Sequence, residues 1–500
     1  MWIVRSVMRF ISILMVLAFL TACGDNAGKD FVPGSSNPPP PPPSLSELVR
    51  EVIDAQGLTG NPAEGRNIPQ IGDPLPQLGM QLFFSKGLGG QNDAACVTCH
   101  HPLLGGGDNL SLPIGVDADV EDLLGPGRVH SSAGHGHDGG PTVPRNSPTT
   151  FNVALWDAFI FHDGRIESLG KTAGANGADG QGIRTPDVAF GEVDPQAQDL
   201  VQAQVLFPVT SREEMRGLFV EGEPNQVARD SLVARWVEQS LPNTWEAEFQ
   251  VAFGSSEPAV DLVTYANVTV AIAAYESSQV FVNTPWRAFV EGDDAAISNS
   301  AKRGALLFYG EGGCVACHSG DFFSDEQFHV LAMPQFGRGK GDGVLGDDDF
   351  GRFRETGVES DLYAFRTPSL LNVVATGPFT HAGAYPTLEG AIRHHLDPAQ
   401  AIDGFDFTAT ELQPGIQAEN AETNTRLALA QLQSLMDSGE SALTTADLSD
   451  QQVSDLLAFV ESLTDPCVLD AQCLAPWIPE RTGGPDNLRQ NGFLEDGTDL

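Results

Sequence analysis

The sequence predicts a mainly α-helical protein made of two related modules with long loops. Apolar stripes at helical spacing run through residues 227–241, 267–281 and 449–463. The segments 78–90 (LGMQLFFSKGLGG) and 302–313 (KRGALLFYGEGG) share Gly-x-x-Leu-Phe and a glycine-rich approach to a pair of cysteines, which indicates an internal duplication. The 54 glycines and 34 prolines predict long irregular connections between the helices.

The first 22 residues are typical of a secretory signal. Two arginines precede the apolar run 10–19, which is short for a membrane span. The run leads into LTAC, which resembles a bacterial lipobox with Cys23 as the lipidated residue; an ordinary signal cut at a nearby small residue is the alternative. Lipid on Cys23 would anchor the exported protein to a bacterial membrane, and the proline-rich linker 23–45 would space the folded part from the bilayer.

The charge balance is strongly acidic. Acidic residues outnumber basic residues 67 to 27, which gives a net charge of −40. Such a surface repels nucleic acid and attracts basic partners. Adaptation to a saline habitat is a second explanation that the sequence leaves open.

Two C-x-x-C-H motifs carry the chemistry, CVTCH at 96–100 and CVACH at 314–318. This spacing attaches c-type haem, because two thiols add to the vinyl groups on one porphyrin edge and the next histidine reaches the iron. A zinc knuckle or a redox disulfide is the alternative, but export favours haem. The sequence therefore predicts two c-type haems. The expected attachment residues are Cys96, Cys99, Cys314 and Cys317, and the expected proximal iron ligands are His100 and His318.

The remaining two cysteines, Cys467 and Cys473, lie near the C-terminus. In an oxidising compartment such a pair is typical of a short disulfide loop. Their spacing permits this bond without proving it.

The segment TLEGAIRHHL predicts a helix that begins after an N-cap at Thr387. Leu388 and His395 share one face of it at the i, i+7 spacing, with Ala391 and Ile392 between them. His395 is therefore expected to point inward. His394 lies about 100° around the helix and is expected to point elsewhere. A core histidine bonded to a carbonyl is the alternative role for His395.

With these motifs the chain resembles the bacterial di-haem cytochrome c peroxidases and their MauG-type relatives, from about Leu75 to about Leu396. The resemblance rests on an ordered set of motifs. They are LFFSKGL with CVTCH, PRNSPTTFN, FIFHDGRIESL, FPVTSREEM, AKRGALLF with CVACH, FRTPSLLNVVATGPFTHAG and TLEGAIRHHL.

The resemblance implies two cytochrome c-like haem domains in the periplasm. The N-terminal domain, 46–290, would reduce hydrogen peroxide to water, and the C-terminal domain, 291–465, would take electrons from a small cytochrome c or cupredoxin. A tail, 466–500, follows. MauG-type relatives instead oxidise side chains of a partner protein, and a non-enzymatic di-haem electron carrier is a third possibility. A homodimer is left open.

Several site residues carry over from the resemblance. Glu214 matches the glutamate above the peroxidatic iron, where a carboxylate can shuttle a proton between the peroxide oxygens, and Glu213 is the next candidate. Asn146, Thr376 and Pro378 match a calcium site between the domains, and such oxygen ligands suit a hard cation.

His395 occupies the position of the distal ligand of the electron-transfer haem, where the family has methionine and MauG-type proteins have tyrosine. Met333 and His394 are its rivals. A histidine here implies a lower potential than a His/Met pair, because methionine ligation raises the haem potential.

Near the domain interface, Arg366 and His381 match residues close to the second haem. The family's inter-haem tryptophan is replaced by His162 in FHDGR, which puts a hole-hopping route through that position in doubt.

Two further segments depart from the family pattern. His135 is the best match for a loop histidine that caps the N-terminal haem in the resting state, and His130 and His137 flank it in a His-rich loop. The glycine-rich insertion 171–198 is expected to be a surface loop.

Overall fold

The computed structural model describes residues 42–409, 412–481 and 483–500. The secretory signal, Cys23 and nearly all of the linker 23–45 lie outside the described residues, so export and lipidation stay predictions.

Helix is the main secondary structure, at 38% against 6% strand, which confirms the mainly α prediction. The helices are α1 Leu45–Gln56, α2 Pro74–Phe83, α3 Leu200–Val205, α4 Asn225–Val237, α5 Trp245–Phe253, α6 Ala259–Leu262, α7 Tyr265–Ser277, α8 Pro285–Val290, α9 Asn299–Phe308, α10 Phe353–Thr356, α11 Leu388–Leu396, α12 Pro398–Asp403, α13 Ala421–Ser438, α14 Asp450–Glu461 and α15 Ala471–Leu474. The strands are β1 Phe159–Ile160, β2 Ile166–Ser168, β3 Ile183–Arg184, β4 Phe328–Val330 and β5 Ala364–Arg366. They form two small antiparallel sheets, β1-β2-β3 and β4-β5.

Two hydrophobic cores follow the two halves of the sequence. The first contains α2, α5 and α7 with the apolar residues around the first haem motif. The second contains α9 and α14 with the residues around the second motif. Each C-x-x-C-H motif thus lies beside its own apolar core, and residues 44–500 together form one compact unit.

Helices α2 and α7 cross at backbone contact in the first core. A Cβ atom on Gly79 of α2 would lie 1.9 Å from the carbonyl oxygen of Ala271 in α7, so only glycine allows this approach. The Phe83 ring then packs 5.0 Å from the Tyr275 ring across the crossing.

The same arrangement recurs in the second core between α9 and α14. A Cβ on Gly304 would lie 1.9 Å from the carbonyl oxygen of Asp455, and the Phe308 ring packs 5.1 Å from that of Phe459. Gly79 and Gly304 hold the same place in the repeated Gly-x-x-Leu-Phe, so the sequence repeat is also a repeat of helix packing.

The structure differs from the sequence-based expectation in two places. Helices α1 and α8, both assigned above to the N-terminal domain 46–290, pack in the second core, where α1 contacts α9 and the Trp286 ring of α8 meets the Phe459 ring of α14. The insertion 171–198 is not only a surface loop. It contains β3, which pairs with β2, and it buries Ile183 because that side chain joins the first core.

The C-terminal tail folds back over the first module. Cys467 and Cys473 form a disulfide with a Cα–Cα distance of 5.3 Å. Beyond it, the Asp486 carboxylate accepts hydrogen bonds from the Ser85 hydroxyl at 2.5 Å and the Trp245 indole at 3.2 Å. The tail thus holds the segment that leads into the first haem motif.

Within the described ranges, none of the helices combines the length and apolar character that crossing a membrane requires.

Candidate functional site

The first C-x-x-C-H motif lines a cavity in the N-terminal half. Cys96 begins a short helical turn, and both Cys96 and Cys99 are free thiols at the cavity wall. The His100 ring lies beside them, and its Nδ1 is 3.1 Å from the carbonyl oxygen of Gly106. This bond fixes Nδ1 as the donor and leaves Nε2 as the ligand atom. Two thiols and one imidazole at one cavity fit a covalently attached haem.

Glu214 lines the same cavity, from a helical turn at Arg212–Arg216. The turn is held by hydrogen bonds from Gly90 N to Met215 O at 2.7 Å and from Val116 N to Glu213 O at 3.3 Å. Burial raises the pKa of the Glu214 carboxyl, and the nearby cations only partly oppose this. Such a carboxyl can hold a proton in the cavity. Glu213 is not among the lining residues, so the structure favours Glu214 of the two.

Cationic side chains form another part of this cavity wall, namely Arg145, Arg165, Lys340 and Arg366. The Arg145 guanidinium is already paired with carboxylates. It donates two hydrogen bonds to Asp349, at 2.6 and 2.7 Å, and one to Asp163, at 2.6 Å. Arg165 also reaches Asp163, at 3.3 Å. Lys340 was not identified from the sequence, because it comes from a loop far from every haem motif.

The second C-x-x-C-H motif forms a second centre, in which the rings of His318 and His395 lie close together. The His318 Nδ1 bonds the carbonyl oxygen of Phe323 at 3.0 Å, and the His395 Nδ1 bonds that of Ala391 at 2.8 Å. Both Nε2 atoms are therefore left as possible ligands. The ring centroids are 6.3 Å apart. Two metal–nitrogen bonds of about 2 Å, each with about 1 Å from nitrogen to ring centre, require roughly 6 Å. The pair therefore fits one iron between two imidazoles.

His394 is engaged elsewhere. Contrary to the sequence-based expectation, it is the more buried of the two adjacent histidines, with no exposed surface. Its Nδ1 bonds the Tyr385 hydroxyl and its Nε2 bonds the carbonyl oxygen of Leu331, both at 2.8 Å. Because both nitrogens are used, His394 has none left for a metal. Met333 packs in a separate apolar cluster.

An unbroken series of contacts joins the two centres. Trp156 lines the first cavity, and its ring meets the Phe322 ring edge-on at 4.7 Å. The next residue, Phe323, accepts the hydrogen bond from His318. The Arg366 guanidinium stacks over Trp156 at 3.3 Å from the ring centroid. Trp156 was missed from the sequence because it lies outside the motif where the family has its tryptophan.

His162 and His381 lie close to this contact but outside it. The His162 Nε2 donates to the carbonyl oxygen of Asn146 at 3.1 Å, and its own carbonyl accepts from Arg366 N at 2.8 Å. The His381 ring stacks on Phe365 at 3.8 Å, and burial lowers the pKa of His381 to about 3. Arg366, matched by resemblance to the second haem, lines the first cavity.

Of the three residues matched to calcium, Asn146 is tied by its backbone to the segment that follows Thr376 and Pro378. The Asn146 amide nitrogen donates to Leu110 O at 2.8 Å and Ser111 O at 3.1 Å. The Asn146 backbone N–H bonds the carbonyl oxygen of His381, just after Thr376 and the cis peptide at Pro378. These oxygen donors are of the type that calcium prefers.

His135 lies at the surface. Its Nε2 contacts the Arg212 guanidinium, two residues before Glu214, and His135 is not among the cavity-lining residues. Its neighbours His130 and His137 pair through their Nδ1 atoms at 3.3 Å. The resting-state ligand role of His135 stays a prediction.

Comparison with known proteins places these centres in context. Residues 74–295 match the model of the di-haem cytochrome c peroxidase family. The MauG protein of Methylorubrum extorquens, named a methylamine utilization protein, is 28% identical over 67% of this chain and 72% of its own. The cytochrome c551 peroxidase of Pseudomonas aeruginosa is 29% identical over 64% of this chain and 71% of its own.

Solved structures show the same fold. A MauG-like protein associated with microbial copper homeostasis has a TM-score of 0.53 and 21% identity, covering 82% of this chain and 96% of that one. The diheme peroxidase BthA of Burkholderia thailandensis has a TM-score of 0.51 and 19% identity, covering 85% and 92%. With the two C-x-x-C-H centres, these matches show that the chain is similar to MauG proteins and cytochrome c peroxidases, and that residues 74–295 carry the pattern of the di-haem cytochrome c peroxidase family.

Proposed function

We propose that the protein is a di-haem c-type cytochrome peroxidase that reduces hydrogen peroxide to water with electrons from a small redox protein. The observation that carries this proposal is the Glu214 carboxyl, whose pKa burial raises, in one cavity with Cys96, Cys99 and His100. A plain electron carrier needs no acid in this position. When bound, the haem iron supplies the redox chemistry.

Glu214 would act as the proton shuttle of the first centre. Its carboxyl can accept a proton from one peroxide oxygen and return it to the other, which leaves as water when the O–O bond breaks. The second oxygen becomes water with two electrons from the donor protein and two protons from solvent. The raised pKa suits this work because a group that both gives and takes a proton is most effective when its pKa approaches the working pH. The apolar wall from Val209 and Ile272 limits competing water.

The second centre would receive the electrons. His318 and His395 would both hold the iron of this haem, and two imidazole ligands suit electron transfer more than chemistry. The net charge of −40 favours a donor with a basic docking face.

The test of the catalytic role compares Glu214→Gln with Glu213→Gln in the haem-loaded protein. Loss of a positioned proton shuttle costs about 10²- to 10⁴-fold in turnover, so Glu214→Gln should lose at least the lower part of that range. Glu213→Gln, its neighbour outside the cavity, should stay near the wild-type rate. Equal rates for the two variants, at equal haem content, would rule out Glu214 as the shuttle.

A MauG-like oxidase of a partner protein is the second candidate. The facing imidazoles of His318 and His395 favour it, because bis-histidine ligation gives a lower potential than His/Met and so stabilises higher oxidation states. Low-temperature EPR with peroxide separates the candidates. A long-lived oxidised state after peroxide, without turnover of a small donor, supports the oxidase. Two low-spin haems that peroxide never changes would indicate a non-enzymatic electron carrier.

The same proposal includes a calcium site and a lipid anchor. Asn146, Thr376 and Pro378 would hold one calcium ion between the two halves, supported by the oxygen donors described above. The N-terminal sequence supports export to the periplasm with a lipid anchor at Cys23.

A further inference from the structure

The loop 337–350 of the C-terminal half reaches the wall of the first cavity and brings Lys340 there. The loop is firmly held. The Lys340 backbone N–H bonds the carbonyl oxygen of Asp348 at 2.8 Å, and Arg338 pairs with Asp138 at 2.8 Å. At Gly339, a Cβ would lie 2.3 Å from the carbonyl carbon of Asp347, so the loop closes tightly on itself. These contacts therefore hold Lys340 at the cavity wall.

The ammonium group of Lys340 has no ion-pair partner among the residues that the structure describes. The two carboxylates that it faces, Asp163 and Asp349, are already bound by Arg145. Burial and the neighbouring arginines lower the pKa of Lys340 to about 8. The Lys340 side chain is half-buried and lines the cavity, so a cation without an ion-pair partner marks a place where the cavity can take a negative group.

Arg366 is an independent indication that the cavity can take a negative group. Its Nη1 atom is buried and has no hydrogen-bond partner within residues 42–409, 412–481 and 483–500, although the same side chain donates through Nε to the carbonyl oxygen of Phe161 at 3.1 Å. The nearby carboxylate of Glu326 is used by backbone N–H groups, including that of Ala158 at 2.7 Å. Two cations, Lys340 and Arg366, therefore line one cavity with unused donors.

We propose that Lys340 and Arg366 bind the two propionate carboxylates of the haem attached at Cys96 and Cys99. This inference rests on the proposed function, because it takes the haem as the occupant of the cavity. A c-type haem brings two carboxylates into the cavity along with its iron, which matches two unpaired cations in number and sign. Lys340 comes from the C-terminal half, so the contact also ties that half to the first haem. Both residues act as positioning residues.

The contact has an electrostatic consequence that can be measured. A cation next to a propionate favours the reduced haem, because it offsets the extra negative charge that reduction adds. Removing that cation should lower the potential of the first haem and leave that of the second unchanged. The propionate bending band in resonance Raman spectra should shift as well, since it reports hydrogen bonds to the carboxylate.

The experiment uses the haem-loaded full chain with Lys340→Met, Lys340→Arg and Arg366→Met. Spectroelectrochemistry should show a downward shift for both methionine variants and recovery in Lys340→Arg. Lys171→Met is the matched control, because Lys171 pairs with Glu167 at 2.8 Å away from the cavity wall and should leave both potentials unchanged.

The outcome that overturns the inference is also clear. If Lys340→Met carries both haems, and its first-haem potential and propionate band equal those of the wild type, Lys340 does not bind a propionate, whatever the change in Tm. A wild-type chain without haem at Cys96 and Cys99 would overturn the proposed function itself, and a haem count separates that result from the first.

Discussion

Glu276 is a second buried acid in the first cavity, and the chemistry proposed above does not use it. Its side chain lies on α7 and lines the cavity, and its Oε2 has no hydrogen-bond partner among the described residues. Burial raises the pKa of Glu276 from 4.5 to about 8. The folded protein therefore keeps a proton on Glu276 that the unfolded chain releases above its ordinary pKa.

This predicts a pH-dependent stability. The stability that protonated Glu276 contributes is fully present below pH 4.5 and is lost as the pH rises to about 8, because between these values the unfolded chain binds fewer protons than the folded protein. In this range the free energy of unfolding should fall by roughly 1 kcal/mol per pH unit. Glu276→Gln should remove that slope, and Glu248→Gln, at an exposed position on α5, should not. Denaturant unfolding of the haem-loaded protein between pH 5 and 8 measures it; equal slopes in all three proteins would contradict the prediction.

Trp156 is the residue through which we expect electrons to pass between the two centres. Trp156→Leu would remove the ring that meets Phe322 at 4.7 Å and leave a gap in the packed path, through which tunnelling is slower. Inter-haem electron transfer should slow several-fold in stopped-flow experiments. No tryptophan radical should form in the wild type, because the Arg366 cation stacked at 3.3 Å disfavours a second positive charge on the ring.

His162→Leu is the comparison for Trp156→Leu. His162 occupies the family's tryptophan position but makes its ring contact with the backbone oxygen of Asn146 instead of with Phe322. Its replacement should leave the transfer rate close to that of the wild type. A larger effect at His162 than at Trp156 would place the path at the family's position.

At the scale of elements, the paired helix crossings explain why the sequence repeats. α2 and α7 meet at Gly79, and α9 and α14 meet at Gly304, each with its backbones in contact. A methyl group at either position would force the helices apart, which costs about 1–3 kcal/mol or more in a close-packed core. Gly79→Ala and Gly304→Ala should each lower the free energy of unfolding by that amount.

The control for these substitutions is Gly72→Ala, where an added Cβ meets none of the described residues within 4 Å. Denaturant unfolding with haem counting measures all three variants. Since each crossing supports its own haem motif, we expect Gly79→Ala to reduce haem attachment mainly at Cys96 and Gly304→Ala mainly at Cys314. Unchanged stability in both would mean that the crossings relax without cost.

At the scale of the whole molecule, the C-terminal tail stabilises the first module, although most of the chain separates the two in sequence. Asp486 is buried and accepts from Ser85 and Trp245, and Gln490 accepts from the Thr98 hydroxyl at 3.0 Å, next to Cys99. Asp486→Ala would leave two buried donors without a partner, a cost of about 1–3 kcal/mol.

The Tm of Asp486→Ala should therefore fall, and hydrogen exchange should rise in residues 85–101. Asp496→Ala, at an exposed position in the same tail, should stay within about 0.5 kcal/mol of the wild type. A tail that contributes nothing would give the same Tm for both variants.

The sequence by itself determined the features that depend on spacing over a few residues. The two C-x-x-C-H motifs, the helix after Thr387 and the Gly-x-x-Leu-Phe repeat are local patterns, and chemistry or helical geometry fixes what they require. The resemblance added Glu214, which lines the first cavity and whose catalytic role stays a proposal.

Only the tertiary structure decided which distant residues meet. Nothing local indicates that Lys340 reaches the first cavity or that Trp156 meets Phe322. Helical periodicity predicted that His395 points inward, but the expectation for His394 was wrong, because hydrogen bonds with Tyr385 and Leu331 hold His394 in the interior. The physical reason is that packing between segments far apart in the chain sets these contacts, whereas spacing in sequence constrains only near neighbours.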